Sequence, residues 1–202
     1  MSVPVQFPKN DVNVGNYIAL AMRTNSTVVG KTYIPHDVLH AALGLADEYF
    51  EFKIAANDDE RIEEITDTFW FIALACHGMQ LTQTQVEFIY APLKNEELFS
   101  VGSVEYELGE FVGPIKKWYT YGAVRDGEWV TIQLRKIFVA YQSVLLETRN
   151  KKSTIELMQL NIDKLRARFP DKFTVEHALN RDTDAEYAAA GLVKSFEKKD
   201  AV

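Results

Sequence analysis

The stretch DVLHAALGLADEYFEFKIAANDDERIEEITDTFWFIALAC, residues 37–76, decides the fold class. From Asp37 to Ala56, the residues Leu39, Leu43, Ala46, Phe50 and Ile54 recur at steps of three and four, the spacing of one helix face. Pro35 stands just ahead, and Asp37 reads as the N-cap. Asn57-Asp58-Asp59 is a polar break. A second helix is predicted from about Glu60 to Cys76 on Ile62, Ile65, Phe69, Ile72, Ala73 and Cys76, with His77-Gly78 ending it. Two such helices joined by a short turn make a helical hairpin.

Outward from this hairpin the same periodicity continues. An earlier helix, about Asn13 to Arg23, carries Val14, Tyr17, Ile18, Ala21 and Met22, and others are predicted at about 81–91, 104–119, 128–149 and 153–168. Pro170 stops the last of them, and the charged segment 194–202 is expected to fray. Asp126-Gly127 joins two helical stretches, so it reads as an interhelical turn and not a hairpin of strands. The expected class is all-α.

Composition narrows the function classes. A chain of 202 residues, 47% hydrophobic and 25% charged, suits one domain or one tightly fused pair of small repeats with a core that needs no staples. The single cysteine, Cys76, excludes an intramolecular disulfide and a multi-cysteine zinc site, and it fits a reducing cytoplasm. No apolar run approaches the ~18–20 residues of a membrane span, and Met1-Ser2-Val3-Pro4-Val5 does not read as a secretory leader. Lys and Arg number 22 against 29 Asp and Glu, a net charge of −7. A protein that coats a nucleic-acid polymer or a membrane surface leans the other way, so neither partner is expected. An acidic protein that handles phosphates needs a local basic cluster or a divalent metal.

The acids supply that possibility. Glu48-x-x-Glu51 precedes the turn and Glu64-x-x-Asp67 follows it. Residues three apart share a helix face, so an antiparallel hairpin gathers four carboxylates. Like charges in a partly buried place are costly unless a cation neutralises them. All-oxygen ligation favours a hard ion, Mg²⁺ or Mn²⁺, which suits phosphoryl or nucleotidyl transfer. The acids interleave with Tyr49, Phe50, Ile65, Phe69, Trp70, Phe71 and Ile72, an apolar setting that predicts burial for this helix and partners for its carboxylates.

The pattern recurs downstream. Glu107-x-x-Glu110-Phe111 matches Glu48-x-x-Glu51-Phe52, and the following helix has Gln133 where the first has Glu64 and Lys136 where it has Asp67. The two hairpins align as copies, the second without a full set of acids. Lys116 and Lys117, beside Trp118 and Tyr121, are candidates to grip phosphate and stack a base. His36, His40, His77 and His177 lack metal-ligand spacing and read as structural.

At the acidic residues the sequence resembles the MazG-like, all-α nucleotide pyrophosphohydrolase superfamily, whose signature is the same Glu-x-x-Glu…Glu-x-x-Asp on a helical hairpin. His40-Ala41-Ala42-Leu43-Gly44-Leu45-Ala46-Asp47-Glu48 is similar to the entry of the first acidic helix in phage and prophage members. Asp67-Thr68-Phe69-Trp70-Phe71-Ile72-Ala73-Leu74-Ala75 resembles their stretch after the last acid, and Tyr17-Ile18-Ala19-Leu20-Ala21-Met22-Arg23-Thr24 their N-terminal helix. Asn161-Ile162-Asp163-Lys164-Leu165-Arg166-Ala167-Arg168-Phe169-Pro170 and Asn180-Arg181-Asp182 resemble their C-terminal motifs. Two features depart from the pattern. The family's first acidic helix continues to Lys-Lys and a Tyr-Gly turn, a piece found here only in the second hairpin, at Lys116-Lys117 and Tyr121-Gly122. The stretch from about Gln80 to Asn150 is an extra hairpin, and the dimeric deoxyuridine triphosphatases of the superfamily are similar in carrying two related helical halves. Whether sites form within one chain or across two stays open.

The resemblance implies a single domain over 1–202, with a catalytic hairpin at about 37–77, a degenerate one at about 104–149 and a C-terminal helix and tail over 153–202. It implies four-helix-bundle architecture and hydrolysis of (d)NTP to (d)NMP and pyrophosphate, in nucleotide-pool control. Glu48, Glu51, Glu64 and Asp67 would bind Mg²⁺, with Mn²⁺ able to substitute. Asn161, Lys164 and Arg181 would approach the substrate, with Lys116, Lys117 and Tyr121 as further contacts. It implies a homodimer and a phage or prophage origin, hence the host cytoplasm. The rival expectations are a hydrolase specific for dUTP or dCTP and a catalytically silent helical scaffold or regulator.

Overall fold

Pro35 sets the backbone for the first helix with φ −55° and ψ 130° and offers no side-chain cap. Helix α1 (His36–Ile54) therefore starts one residue before Asp37. Asp37 is not the N-cap; its carboxylate accepts from His77 Nδ1 at 2.8 Å and lies 3.3 Å from His36 Nδ1. Those two histidine contacts hold the Asp37 carboxyl below its ordinary range. The His77 contact ties the start of α1 to the end of α2 (Asp58–Gly78) across the open end of the hairpin. Asn57 caps α2 by accepting from Glu60 N, so Asp58 and Asp59 belong to its first turn, where acids oppose the helix dipole.

This computed structural model describes residues 34–98, 100–148, 151–170 and 174–193. The predicted helix over 13–23 and the segment 194–202 lie outside the described residues. After α2 come α3 (Gln83–Ile89), α4 (Asn95–Leu98), α5 (Val104–Tyr121), α6 (Gly127–Glu147), α7 (Thr154–Arg168), α8 (Val175–Leu179) and α9 (Thr183–Ala190). No strand occurs among the described residues, and the fold class is all-α. The expected turn at Asp126-Gly127 is an interhelical one: Gly122 ends α5 at φ 73°, and Asp126 caps α6 by accepting from Trp129 N. None of the described helices is long and apolar enough to cross a membrane.

The hairpins pack edge to edge. Helix α1 contacts α2 and α5, and α6 contacts α5 and α2, while α7 lies on α2 and α9 lies on α7. The shared core takes Val38, Ala41 and Leu45 from α1, Ile65, Phe69 and Ile72 from α2, Phe111 and Ile115 from α5, and Leu134, Phe138 and Tyr141 from α6. Phe69 meets Phe138 at 5.1 Å between ring centroids, and Tyr90 donates its hydroxyl to the Phe69 carbonyl. Arg135 is buried on α6 and donates to the carbonyls of Ile89, Ala91 and Pro92 and to Glu97, which pins the α3–α4 connection to the core. The all-round burial expected of α2 does not hold: Trp70 and Ala73 are exposed, because α2 has neighbours on some faces only.

Candidate active site

One glycine positions the acids. A Cβ at Gly44 would lie 2.1 Å from Phe71 Cε1, so only the absence of a side chain there lets the Phe71 ring rest on α1. With the two helices that close, Glu48, one turn further along α1, faces Glu64 of α2. Oxygens of Glu48, Glu51 and Glu64 fall within 4.8 Å of one another. Three of the four expected carboxylates thus converge.

The environment holds protons on this cluster. Burial, followed by the nearby charge of Asp67, pushes the Glu48 carboxyl up to about 8. Burial, followed by the charge of Glu63, pushes Glu64 up to about 11. Glu48 Oε2 is buried and has no hydrogen-bond partner. A buried carboxyl oxygen without a partner, beside two further carboxyl groups, is the donor set a divalent cation takes in exchange for their protons, and it costs free energy otherwise. The three residues fit such an ion.

Asp67 has a different partner. Its carboxylate is held by the Lys164 ammonium and by Asn161 Nδ2, the latter at 2.8 Å. Lys164, only 2% exposed, also donates to Glu63 Oε1 at 2.8 Å. Glu63 in turn accepts from the Tyr187 hydroxyl of α9 at 2.9 Å. Burial depresses the Lys164 ammonium, and the charges of Asp67 and Glu63 outweigh it, so the group lies above its ordinary value. Glu63 shows the converse: burial raises it, but Lys164 together with the hydrogen bonds from Tyr187 and Glu64 lowers it more, and it ends below the ordinary range. Lys164 and Asn161 therefore reach the site as expected, but there they bind the carboxylates of Glu63 and Asp67. Arg181 pairs with the buried Glu186 through Nη2 at 2.6 Å. Lys116, Lys117 and Tyr121 are exposed on α5, Trp118 is buried in the core, and the two lysines and Tyr121 do not line the cleft described next.

A cleft of about 280 Å³ opens between α2 and α7. Glu48, Asp67, Asn161 and Lys164 form its polar end. His40, Trp70, Phe71, Leu165 and Phe169 give it aromatic and apolar walls, and Arg168 completes it. His40 lies edge-on to Trp70 at 6.2 Å and to Phe71 at 5.6 Å, so it belongs to this site, where the sequence suggested only a structural residue. Glu63 was also missed. Its signal was the four-residue step to Asp67, which puts both acids on one side of α2 for a single lysine to bridge. No protein-family model, no curated protein and no solved structure matches the chain.

Proposed function

We propose that the chain is a divalent-cation-dependent nucleoside triphosphate pyrophosphohydrolase, which converts (d)NTP and water to (d)NMP and pyrophosphate. The observation that carries this reading is the convergence of Glu48, Glu51 and Glu64 around the unpartnered Glu48 Oε2, at the polar end of a cleft. The resemblance of the same hairpin to MazG-like enzymes supports it. Glu48, Glu51 and Glu64 would hold Mg²⁺ or Mn²⁺. Such an ion would supply Lewis-acid chemistry there, stabilising the charge of a triphosphate and making a water molecule more acidic.

The protein's own groups do the rest. Glu48 and Glu64 would hold the cation in their ionised form, and Glu48, which also lines the cleft, would accept the proton of the attacking water. Asp67 stays at the polar end of the cleft, held by Lys164 and Asn161. Lys164 offsets the local negative charge, which keeps Glu63 and Asp67 from repelling a triphosphate as strongly as free carboxylates do. The test is release of pyrophosphate from canonical and modified nucleoside triphosphates with and without Mg²⁺. Release that depends on Mg²⁺ and disappears in Glu51→Gln supports the reading, and no release from any of them at saturating Mg²⁺ or Mn²⁺ refutes it.

Self-association belongs to the same reading. Leu43, Phe50 and Ile54 of α1 are 64%, 65% and 82% exposed along one side of the catalytic hairpin, an apolar strip that a second copy would cover in a homodimer. Light scattering decides this: a mass near twice 23.0 kDa supports the dimer, and a mass near 23.0 kDa refutes it.

A further inference from the structure

The cleft between α2 and α7 has a chemistry of its own, distinct from that of the acids at its end. Trp70 is 36% exposed, although an indole is highly buried on average. Its ring is braced at 4.9 Å by Phe71 and at 6.2 Å by His40, both nearly perpendicular to it. A large aromatic face held rigid by edge-on neighbours and left open to a cleft is a stacking platform. On the α7 side stand Leu165 and Phe169, with the Arg168 guanidinium 5.2 Å from the Phe169 ring centroid.

The cleft is poorly suited to phosphates. Its buried lysine, Lys164, is already bound to Glu63 and Asp67. Arg168 donates through Nη2 to the Ala178 carbonyl. At about 280 Å³ the space is also below the ~300–1,000 Å³ of sites that enclose a whole drug-sized ligand. It takes one end of a larger substrate, and that end is flat and mostly apolar. Arg168 Nε is buried and faces Glu186 Oε1 at 3.9 Å, so this guanidinium is engaged on the side of α9.

We infer that this cleft receives the base and sugar of a nucleotide, with Trp70 as the stacking face. The inference rests on the reading of the acidic site given above, because Glu48 belongs to the acidic cluster and also lines the cleft, which puts the ligand's phosphates next to the carboxylates. It deepens that reading by making the base a recognised part of the substrate. A bare polyphosphate or a phosphorylated sugar would leave the aromatic wall unused.

The experiment is an equilibrium titration of the full chain, in Mg²⁺, with dAMP, dCMP, dGMP, dTMP and dUMP, by calorimetry and tryptophan emission. Wild type, Trp70→Ala, Trp70→Phe and Phe169→Ala are compared, with circular dichroism melts to establish that each is folded. At least one monophosphate should bind, and Trp70→Ala should weaken it on the order of tenfold. Trp70→Phe, which keeps an aromatic face, should recover most of that loss. Absence of binding by all five at millimolar concentration overturns the inference. So does a folded Trp70→Ala that binds each of them as wild type does. If monophosphates bind and lose affinity in Trp70→Ala while no triphosphate yields pyrophosphate, the cleft assignment stands and the hydrolase reading falls. If pyrophosphate is released and Trp70→Ala leaves KM unchanged for every nucleotide, the cleft assignment falls alone.

Discussion

In the first hairpin, Glu48 and Glu51 of α1 meet Glu64 of α2, and one oxygen of Glu48 is buried without a partner. At the matching positions of the second hairpin, Glu107 is 2% exposed, accepts from Gly102 N at 2.7 Å through Oε1 and likewise leaves Oε2 buried without a partner, while Glu110 is exposed, so the difference lies in the neighbouring acids. Helix α6 then offers Gln133 and Lys136 where α2 offers Glu64 and Asp67. No comparable acidic cluster forms there among the described residues. The glycines differ as well. Gly44 admits the Phe71 ring against α1, whereas Gly109 and Gly113 of α5 have nothing within 4 Å of where a Cβ would stand.

The contrast separates spacing from convergence. A Glu-x-x-Glu step puts two acids on one helix face in either hairpin, but it gathers a cluster only where the facing helix is acidic and close. The first hairpin meets both conditions, and α7 adds a third with Lys164, which neutralises the two acids, Glu63 and Asp67, that lie outside the cluster. The second hairpin keeps one buried acid and uses it against a loop N–H.

Substitutions in matched pairs should widen this difference. The largest effect is expected from Lys164→Ala, which leaves Glu63 and Asp67 buried without their cation. Unfolding in urea should show a loss of about 3–5 kcal/mol. Lys136→Ala, at the second hairpin's half-buried equivalent of Asp67, should stay within about 0.5 kcal/mol of wild type. Next in size is activity. Glu48→Gln and Glu51→Gln should lower pyrophosphate release on the order of 10²-fold without loss of helicity, since each removes a charged ligand and keeps volume. Glu110→Gln should leave the rate within about twofold, because a surface substitution away from the site removes no ligand.

The glycine pair tests the packing. Gly44→Ala must displace Phe71 and should cost about 1–3 kcal/mol. Gly109→Ala meets open space inside a helix and should stabilise by about 0.5–1 kcal/mol. The effect of pH belongs to the first hairpin. Glu48 is raised from its ordinary 4.5 to about 8, and Glu64 is raised too. The folded state therefore holds protons that the unfolded chain has released, so the stability of the cation-free protein is greatest below 4.5 and is lost as pH rises through about 8. Melting temperature in chelator should fall across that window. Millimolar Mg²⁺, by favouring the ionised carboxylates, should flatten the fall.

Much of this was written locally. The α1–α2 hairpin, its polar turn, the Asp126-Gly127 turn and three of the converging acids follow from spacing, because each depends on residues a few positions apart. The Lys164 bridge to Glu63 and Asp67 joins residues 101 and 97 positions apart, and Tyr187 reaches Glu63 across 124. No periodicity encodes such pairs; they exist only once α7 and α9 have docked on α2. The cleft was hidden for the same reason, since Trp70 and Phe169 belong to different helices. Lys116-Lys117-Trp118 misled the reading because three adjacent residues on a helix point in three directions, and here Trp118 took the core while the lysines took the surface.

The central claim is that the first hairpin alone holds a divalent cation. Titration of the full chain with Mn²⁺ at neutral pH, followed by electron paramagnetic resonance of the free ion, measures it directly. The account predicts saturable binding in wild type and in Glu110→Gln and its loss in Glu51→Gln. Unchanged Mn²⁺ binding in a folded Glu51→Gln, or its loss in Glu110→Gln, would contradict it.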